Sequence, residues 1–360
     1  MVDHSSPPRP PLSTASLIAR LAGIGAVVAV VAGAFAYVNG TLDPQRLRPK
    51  TLVNALETNN GVHPGFRRNH AKGVCVAGYF ESSTEARAYS SAQVFNEAKT
   101  PIIGRFALPS GNPYAPDSSV PIRSFAVQFS QANGQQWRTG MNSMPVFPVG
   151  TPEAFYQLLK AGAPDPATGK PNPSSMPAFF AAHPETAPFL AWVKTAKPSA
   201  SYATETYNGI NAFYLVAADG TRQAVRWEVV PQSQDAAGDT APAGSDFLEQ
   251  DLVRRLAAGP LRWQLNMTLA NPGDPLADAS KTWTGAHKVL NAGTLVLQSS
   301  QPQADGDCRD INFDPLILPS GIQASNDPLL AARSAAYASS YLRRAGEVSP
   351  LHSAPQESKP

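Results

Sequence analysis

Cysteine is almost missing from this chain: Cys75 and Cys308 are the two in 360 residues. A disulfide-stapled scaffold is thereby excluded, and the separation of the pair gives neither a CxxC redox motif nor a zinc pattern. We expect two buried free thiols, with a single bridge as the alternative where the fold brings them together. Charge is equally sparse. Charged residues make up 16% of the chain, the formal net charge is +2 and no Lys/Arg block stands out, so no nucleic-acid partner is expected. The six histidines, His4, His63, His70, His183, His287 and His352, form no HExxH or other two-ligand spacing, which argues against a metal held by a histidine pair.

Proline and one apolar run are what the chain has in excess. The 35 prolines are about twice the usual share, scattered between apolar runs, and point to long ordered connections. Everything from Leu21 to Leu42 is uncharged and Leu21–Val38 is almost wholly apolar, roughly the length of a bilayer-spanning helix. Length favours a retained anchor; a cleaved signal is the competing reading, because Ala34-Phe35-Ala36 has the form of a cleavage site. Arg9 and Arg20 precede the run and Arg46, Arg48 and Lys50 follow it, so charge counting points weakly against export of the remainder. The expected organisation is a disordered N-terminus over 1–16, the transmembrane anchor or signal segment over 17–40, a tether over 41–50, one folded domain over 51–346 and a flexible tail over 347–360.

The folded part turns to β pattern at Gly73. Val74–Phe80, Ile102–Leu108, Phe125–Phe129, Trp137–Met141, Ala212–Val216, Ala224–Val230, Trp263–Thr268 and Thr294–Leu297 are short runs rich in β-branched and aromatic residues. Asn133-Gly134 and Asp219-Gly220 supply hairpin turns between two pairs of them. Helices are predicted over Pro152–Lys160, capped by Thr151, over Phe247–Leu256, opened by Asp246 and Glu249, and from about Pro328 to Arg344, ending at Gly346. The fold class is therefore α+β: an antiparallel barrel of about eight strands with inserted and C-terminal helices.

Chemistry concentrates in a few segments. Arg67-Arg68-Asn69-His70-Ala71-Lys72-Gly73 leads straight into the first strand, and a lone histidine at a strand entrance is usually structural. This segment, however, resembles the R-x-x-H-A-K-G segment of the catalase superfamily, and further matches follow in order. Gly104-Arg105-Phe106 and Arg123-Ser124-Phe125-Ala126-Val127-Gln128-Phe129 resemble that family's V-R-F and R-G-F-A-V-K-F strands. Met141-Asn142-Ser143-Met144-Pro145-Val146-Phe147 is similar to its G-N-N-T-P-x-F, and Phe155 falls where a family phenylalanine packs near the haem. Phe313-Asp314-Pro315, Pro319-Ser320-Gly321-Ile322, Ser325 with Asp327, and Arg333-Ser334-Ala335-Ala336-Tyr337 resemble its F-D-P, P-x-G-I, S-x-D and R-x-x-x-Y series.

The resemblance, over roughly Gly61 to Gly346, implies a catalase-like eight-stranded barrel enclosing haem b. It implies His70 and Asn142 as catalytic residues, Tyr337 as the iron ligand, and Arg67, Arg105, Phe155, Arg333 and Arg344 as cofactor-binding residues. Spacing supports one pair independently. Arg333 and Tyr337, four apart in a helix, project from one face, and iron on the phenol oxygen with a guanidinium one turn away would stabilise the phenolate.

Three departures shape the functional expectation. The sequence ends soon after Tyr337, which resembles the small catalase-related peroxidases of the bacterial envelope and leads us to expect a periplasmic domain. Ala107 replaces a serine that bonds the distal histidine, and Asn69 replaces a valine over the haem, adding polarity that partly compensates. The expected activity is haem-dependent reduction of organic hydroperoxides and hydrogen peroxide by an external electron donor. The alternatives are an allene-oxide-synthase-like rearrangement, a small true catalase, and a haem-binding envelope protein without turnover. Peroxide, the donor and a membrane are the expected partners.

Overall fold

The computed structural model describes residues 13–38, 47–197, 199–233 and 244–348. The expected disordered residues up to 12, the tether from 41 to 46 and the tail beyond 348 lie outside them. The chain divides into two units, residues 1–48 and 49–360.

In the first unit, helix α1 spans Thr14–Val38. Its stretch Thr14–Tyr37 has a mean hydropathy of 2.1 and none of it is buried, so it is long and apolar enough to cross a membrane.

The second unit is built on nine strands: β1 Gly73–Ser82, β2 Lys99–Ala107, β3 Ser124–Ser130, β4 Gln136–Asn142, β5 Tyr207–Val216, β6 Arg222–Pro231, β7 Leu261–Leu269, β8 Val289–Pro302 and β9 Ile322–Ala324. All eight expected strands are present. The order is β4-β3-β2-β1-β8-β7-β6-β5-β9, and pairing of β4 with β5 at Asn142 and Asn208 closes the first eight into an antiparallel barrel. β8 runs well beyond its apolar centre because its polar end, up to Pro302, still pairs with β1. Alternate residues of all eight strands, among them Phe80, Phe106, Phe125, Phe129, Trp137, Trp227 and Trp263, meet in one buried cluster. Phe106 stacks on Phe125 at 4.3 Å and Phe129 on Trp137 at 4.5 Å between ring centroids. The barrel interior is thus filled with side chains, and a ligand must bind outside it.

The helices are α2 Pro49–Asn60, α3 Pro152–Ala161, α4 Ser175–Ala182, α5 Ala187–Thr195, α6 Phe247–Ala258 and α7 Pro328–Val348. Thr151 caps α3 as predicted, accepting the Ala154 N–H at 3.2 Å. Asp246 does not cap α6. Its carboxylate pairs with Lys72 at 2.8 Å, and Asp117 accepts the Leu248 N–H at 2.8 Å instead. α7 continues past Gly346 because Glu347 is held there, paired with Arg68 and accepting the Gly65 N–H at 2.8 Å.

Candidate active site

A cavity of 460 Å³ lies between the outer wall of β2, β3 and β4 and helices α2, α3, α5 and α7. It brings together Arg67, His70, Arg105, Asn142, Phe155, Arg333, Tyr337 and Arg344, all eight residues singled out from sequence. The barrel accordingly carries the cavity on its outside, because its own interior is occupied by the aromatic core.

His70 sits in the loop before β1 with a left-handed backbone, φ 56°, which costs a non-glycine residue roughly 1–2 kcal/mol. Asn69 Oδ1 holds it by accepting the His70 backbone N–H at 2.9 Å. The side chain of Asn69 therefore serves the backbone and does not replace the hydroxyl missing at Ala107: His70 Nδ1 is buried with no hydrogen-bond partner. Nε2 is left as the ring nitrogen open to the cavity. Burial, reinforced by Arg105, Arg333 and Arg67, pushes the imidazole down to about 3, so the ring is neutral at ordinary pH. Three residues on, a Cβ at Gly73 would lie 2.3 Å from the Phe106 carbonyl oxygen and 2.6 Å from Arg105 Nη2; glycine there lets both the β2 backbone and the guanidinium pass.

One rung of the barrel carries the next group. Gly73 pairs with Ala107, Ala107 with Ser124, and Ser124 with Asn142. Directly opposed residues share a face of the sheet, here the outer one. The Ser124 hydroxyl donates to Asn142 Oδ1 at 2.6 Å.

α7 supplies the opposite contribution. Asp327 Oδ1 accepts the Leu329 N–H at 2.9 Å and so caps the helix, while Oδ2 accepts from Asn211 Nδ2 at 2.8 Å. Asn211 Oδ1 in turn accepts from Arg333 Nη1. Arg333 Nη2 donates to the Gly140 carbonyl at 3.2 Å and to Tyr337 Oη at 3.4 Å. A Cβ at Gly140 would stand 3.2 Å from that nitrogen, so glycine keeps the approach open.

Three more arginines face the cavity from Arg67, Arg105 and Arg344. Arg67 Nη2 donates to the carbonyls of Cys308 at 3.1 Å and Ile311 at 2.8 Å. Arg105 Nε donates to Gln303 Oε1 at 3.1 Å, and Arg344 Nη1 to the Arg309 carbonyl. Burial and repulsion from Arg105 and Arg344 push the Arg67 guanidinium well down. Burial, opposed by Tyr202 and aided by Arg344, takes Arg105 down to about 10. The loop that supplies these carbonyls is fastened to β1 by a Cys75–Cys308 disulfide, Cα–Cα 5.3 Å across 233 residues of sequence. This corrects the expectation of free thiols. The chain beyond Pro302, whose strand pairs with Val74, folds back over the outer side of β1 and meets Cys75 there.

The cavity fits an apolar ligand that carries negative charge. Five arginines line it, counting Arg68, and no Asp or Glu does among the described residues. Phe147 and Phe155, 5.4 Å apart between centroids, and Phe189 and Leu159 give it an apolar wall. Among the described residues no group of three His, Cys, Asp or Glu converges to hold a bare ion, and Tyr337 offers one protein oxygen. Sequence reading missed Ser124, Asn211 and Gln303 as supports. A polar Asn211 between the apolar Ile210 and Ala212–Val216 was the one visible signal.

A family profile described as Catalase matches residues 43–350. Catalase-related peroxidases of Synechococcus elongatus and Mycolicibacterium paratuberculosis are 38% and 31% identical over 82% and 83% of this chain, and 88% and 96% of their own lengths. The crystal structure of a fungal catalase and that of catalase A from Saccharomyces cerevisiae each align at a TM-score of 0.70 and 20% identity, over 82% and 81% of this chain. The chain spans 62% and 64% of those two structures, less than two thirds of their length.

Proposed function

This chain belongs to the catalase family, and on that premise we propose that it is a haem-dependent peroxidase reducing hydroperoxides with electrons from an external donor. One observation carries the reading: His70 and Asn142 on the barrel side and Arg333 with Tyr337 on α7 meet in a single cavity lined by arginines and by no carboxylate among the described residues. Haem, when bound there, supplies the iron that polarises the O–O bond and the π-system that stores oxidising equivalents. Tyr337 Oη would hold the iron, with Arg333 Nη2 donating to that oxygen at 3.4 Å. Arg67, Arg105 and Arg344 would pair with the two propionate carboxylates, and Phe155 would pack on the macrocycle. The protein's own contribution to turnover is proton movement and orientation. His70, neutral in the cavity, takes the hydroperoxide proton at Nε2 and returns it to the outer oxygen as that oxygen leaves. The Asn142 amide donates to the polarising peroxide.

Apolar lining around Phe147, Phe189 and Leu159 favours organic hydroperoxides beside hydrogen peroxide. The test is an absorption spectrum of the purified protein, followed by titration with hydrogen peroxide and an alkyl hydroperoxide. Donor oxidation and oxygen release are measured on the same preparation. Donor oxidation driven by the alkyl hydroperoxide supports the proposal; oxygen release faster by orders of magnitude makes the protein a small catalase. We assign α1 to the membrane on its length and apolarity, and residues 49–348 to the periplasmic side because the Cys75–Cys308 disulfide suits an oxidising compartment. The mass of the mature protein separates a retained anchor from a signal cleaved after Ala36.

A further inference from the structure

Ser124 is 6% exposed and stands between two neighbours on its rung, Ala107 on β2 and Asn142 on β4. Ala107 offers no polar atom, and the hydroxyl is committed to Asn142 Oδ1 at 2.6 Å. A primary amide is nearly symmetric in shape and opposite in polarity at its two ends: the oxygen accepts, the nitrogen donates. The hydroxyl could meet either end, donating to Oδ1 or accepting from Nδ2, but only the first gives its own proton a side-chain acceptor on the rung, because Ala107 offers none; with Oδ1 bound to Ser124, Nδ2 and both its hydrogens are left to the cavity. Asn208 Nδ2 donates to the backbone carbonyls of Asn142 and Ser143, each at 3.4 Å, and so does not choose between the two ends.

We propose that Ser124 is a positioning residue that turns the donor end of the Asn142 amide toward the bound peroxide. The proposal rests on the peroxide reading of the same cavity. A peroxide oxygen carries lone pairs, so an amide nitrogen beside it attracts and an amide oxygen in the same place repels. Once the hydroxyl is lost, nothing in the rung distinguishes the two orientations, and the reacting oxygen meets a mixed population. The hydroxyl does not act on His70, whose Nδ1 has no partner at all, so its effect passes through Asn142.

The test uses the full-length protein with Ser124→Ala, with the shape-matched pair Ser124→Thr and Ser124→Val, and with Asn142→Ala as the reference for a missing donor. The infrared C–O stretch of the ferrous carbonyl form reads the donor beside the ligand. The parent and Ser124→Thr should show one band at a shared position. Ser124→Ala and Ser124→Val should show a second band at the position of Asn142→Ala, and kcat for an alkyl hydroperoxide should fall about 2- to 10-fold with KM little changed. A band in Ser124→Ala and Ser124→Val identical to the parent overturns the proposal, as does a Ser124→Thr that behaves like Ser124→Val. If Ser124→Ala fails to fold, the Thr and Val pair decides. If even the parent takes up no haem, the peroxide reading has failed. The bond itself is then read in the haem-free protein labelled with ¹⁵N-asparagine: the side-chain NH₂ signals of Asn142 should match between parent and Ser124→Thr and shift in Ser124→Val, and no shift overturns the assignment.

Discussion

Arg333 and Tyr337 stand one turn apart on α7, joined at 3.4 Å, and the far side of the same guanidinium is held through Asn211 to Asp327, which caps that helix. The phenol is thus positioned by a chain of contacts that begins at the helix N-terminus and crosses to β5. Rotation of α7 would break several of these contacts together, which is what a fixed ligand position requires.

Tyr337→Phe should abolish stable haem retention, because the ring remains and the oxygen is gone. Haem absorbance is measured after gel filtration; full occupancy with an unchanged spectrum removes Tyr337 as the ligand.

His70 needs a replacement that tolerates its left-handed backbone, and asparagine does. His70→Asn should retain haem and lose about 10²- to 10⁴-fold in the rate of peroxide cleavage, the usual share of general acid–base catalysis. Asn142→Ala removes one hydrogen bond and should cost about tenfold or less. Stopped-flow rates for both variants check the order, and a His70→Asn rate close to the parent refutes proton transfer by His70.

Stability should depend on pH through the same imidazole. Its pKa is about 3 in the folded, haem-free chain and about 6.5 when unfolded. Between those values the unfolded state binds the additional proton, so this part of the stability is complete above about pH 6.5 and is lost as pH falls toward 3. Denaturant unfolding of the haem-free protein across that window should show a steeper acid loss in the parent than in His70→Asn. Equal slopes would contradict it.

Reduction of Cys75–Cys308 opens a loop of more than two hundred residues, and a native disulfide of this kind contributes about 2–5 kcal/mol. Reductant should lower the parent's denaturation midpoint to that of a Cys75→Ala/Cys308→Ala double variant and leave the variant unchanged. Haem retention should weaken in parallel, since the carbonyls of Cys308 and Ile311 hold Arg67. A midpoint indifferent to reductant would show that the bond adds no stability.

The sequence alone determined what depends on local period and short spacing. Short runs rich in β-branched and aromatic residues marked all eight barrel strands, Asn133-Gly134 and Asp219-Gly220 marked two of their turns, and the four-residue step between Arg333 and Tyr337 placed both on one helix face. α2 escaped too, opening at Pro49 inside the expected tether, and α4 and α5 escaped because they are short, α5 burying no residue that would print an apolar stripe. Tertiary structure alone decided which groups meet across the barrel. Asp246 carries every local mark of an N-cap, yet Lys72 takes it and the distant Asp117 does the capping. The Cys75–Cys308 bond, the Ser124 bond to Asn142 and the grip of Asn211 on Arg333 join residues that no local pattern relates. Each follows from strand register and barrel closure, and the cavity lies outside the barrel because eight strands' worth of large aromatic side chains had already filled the inside.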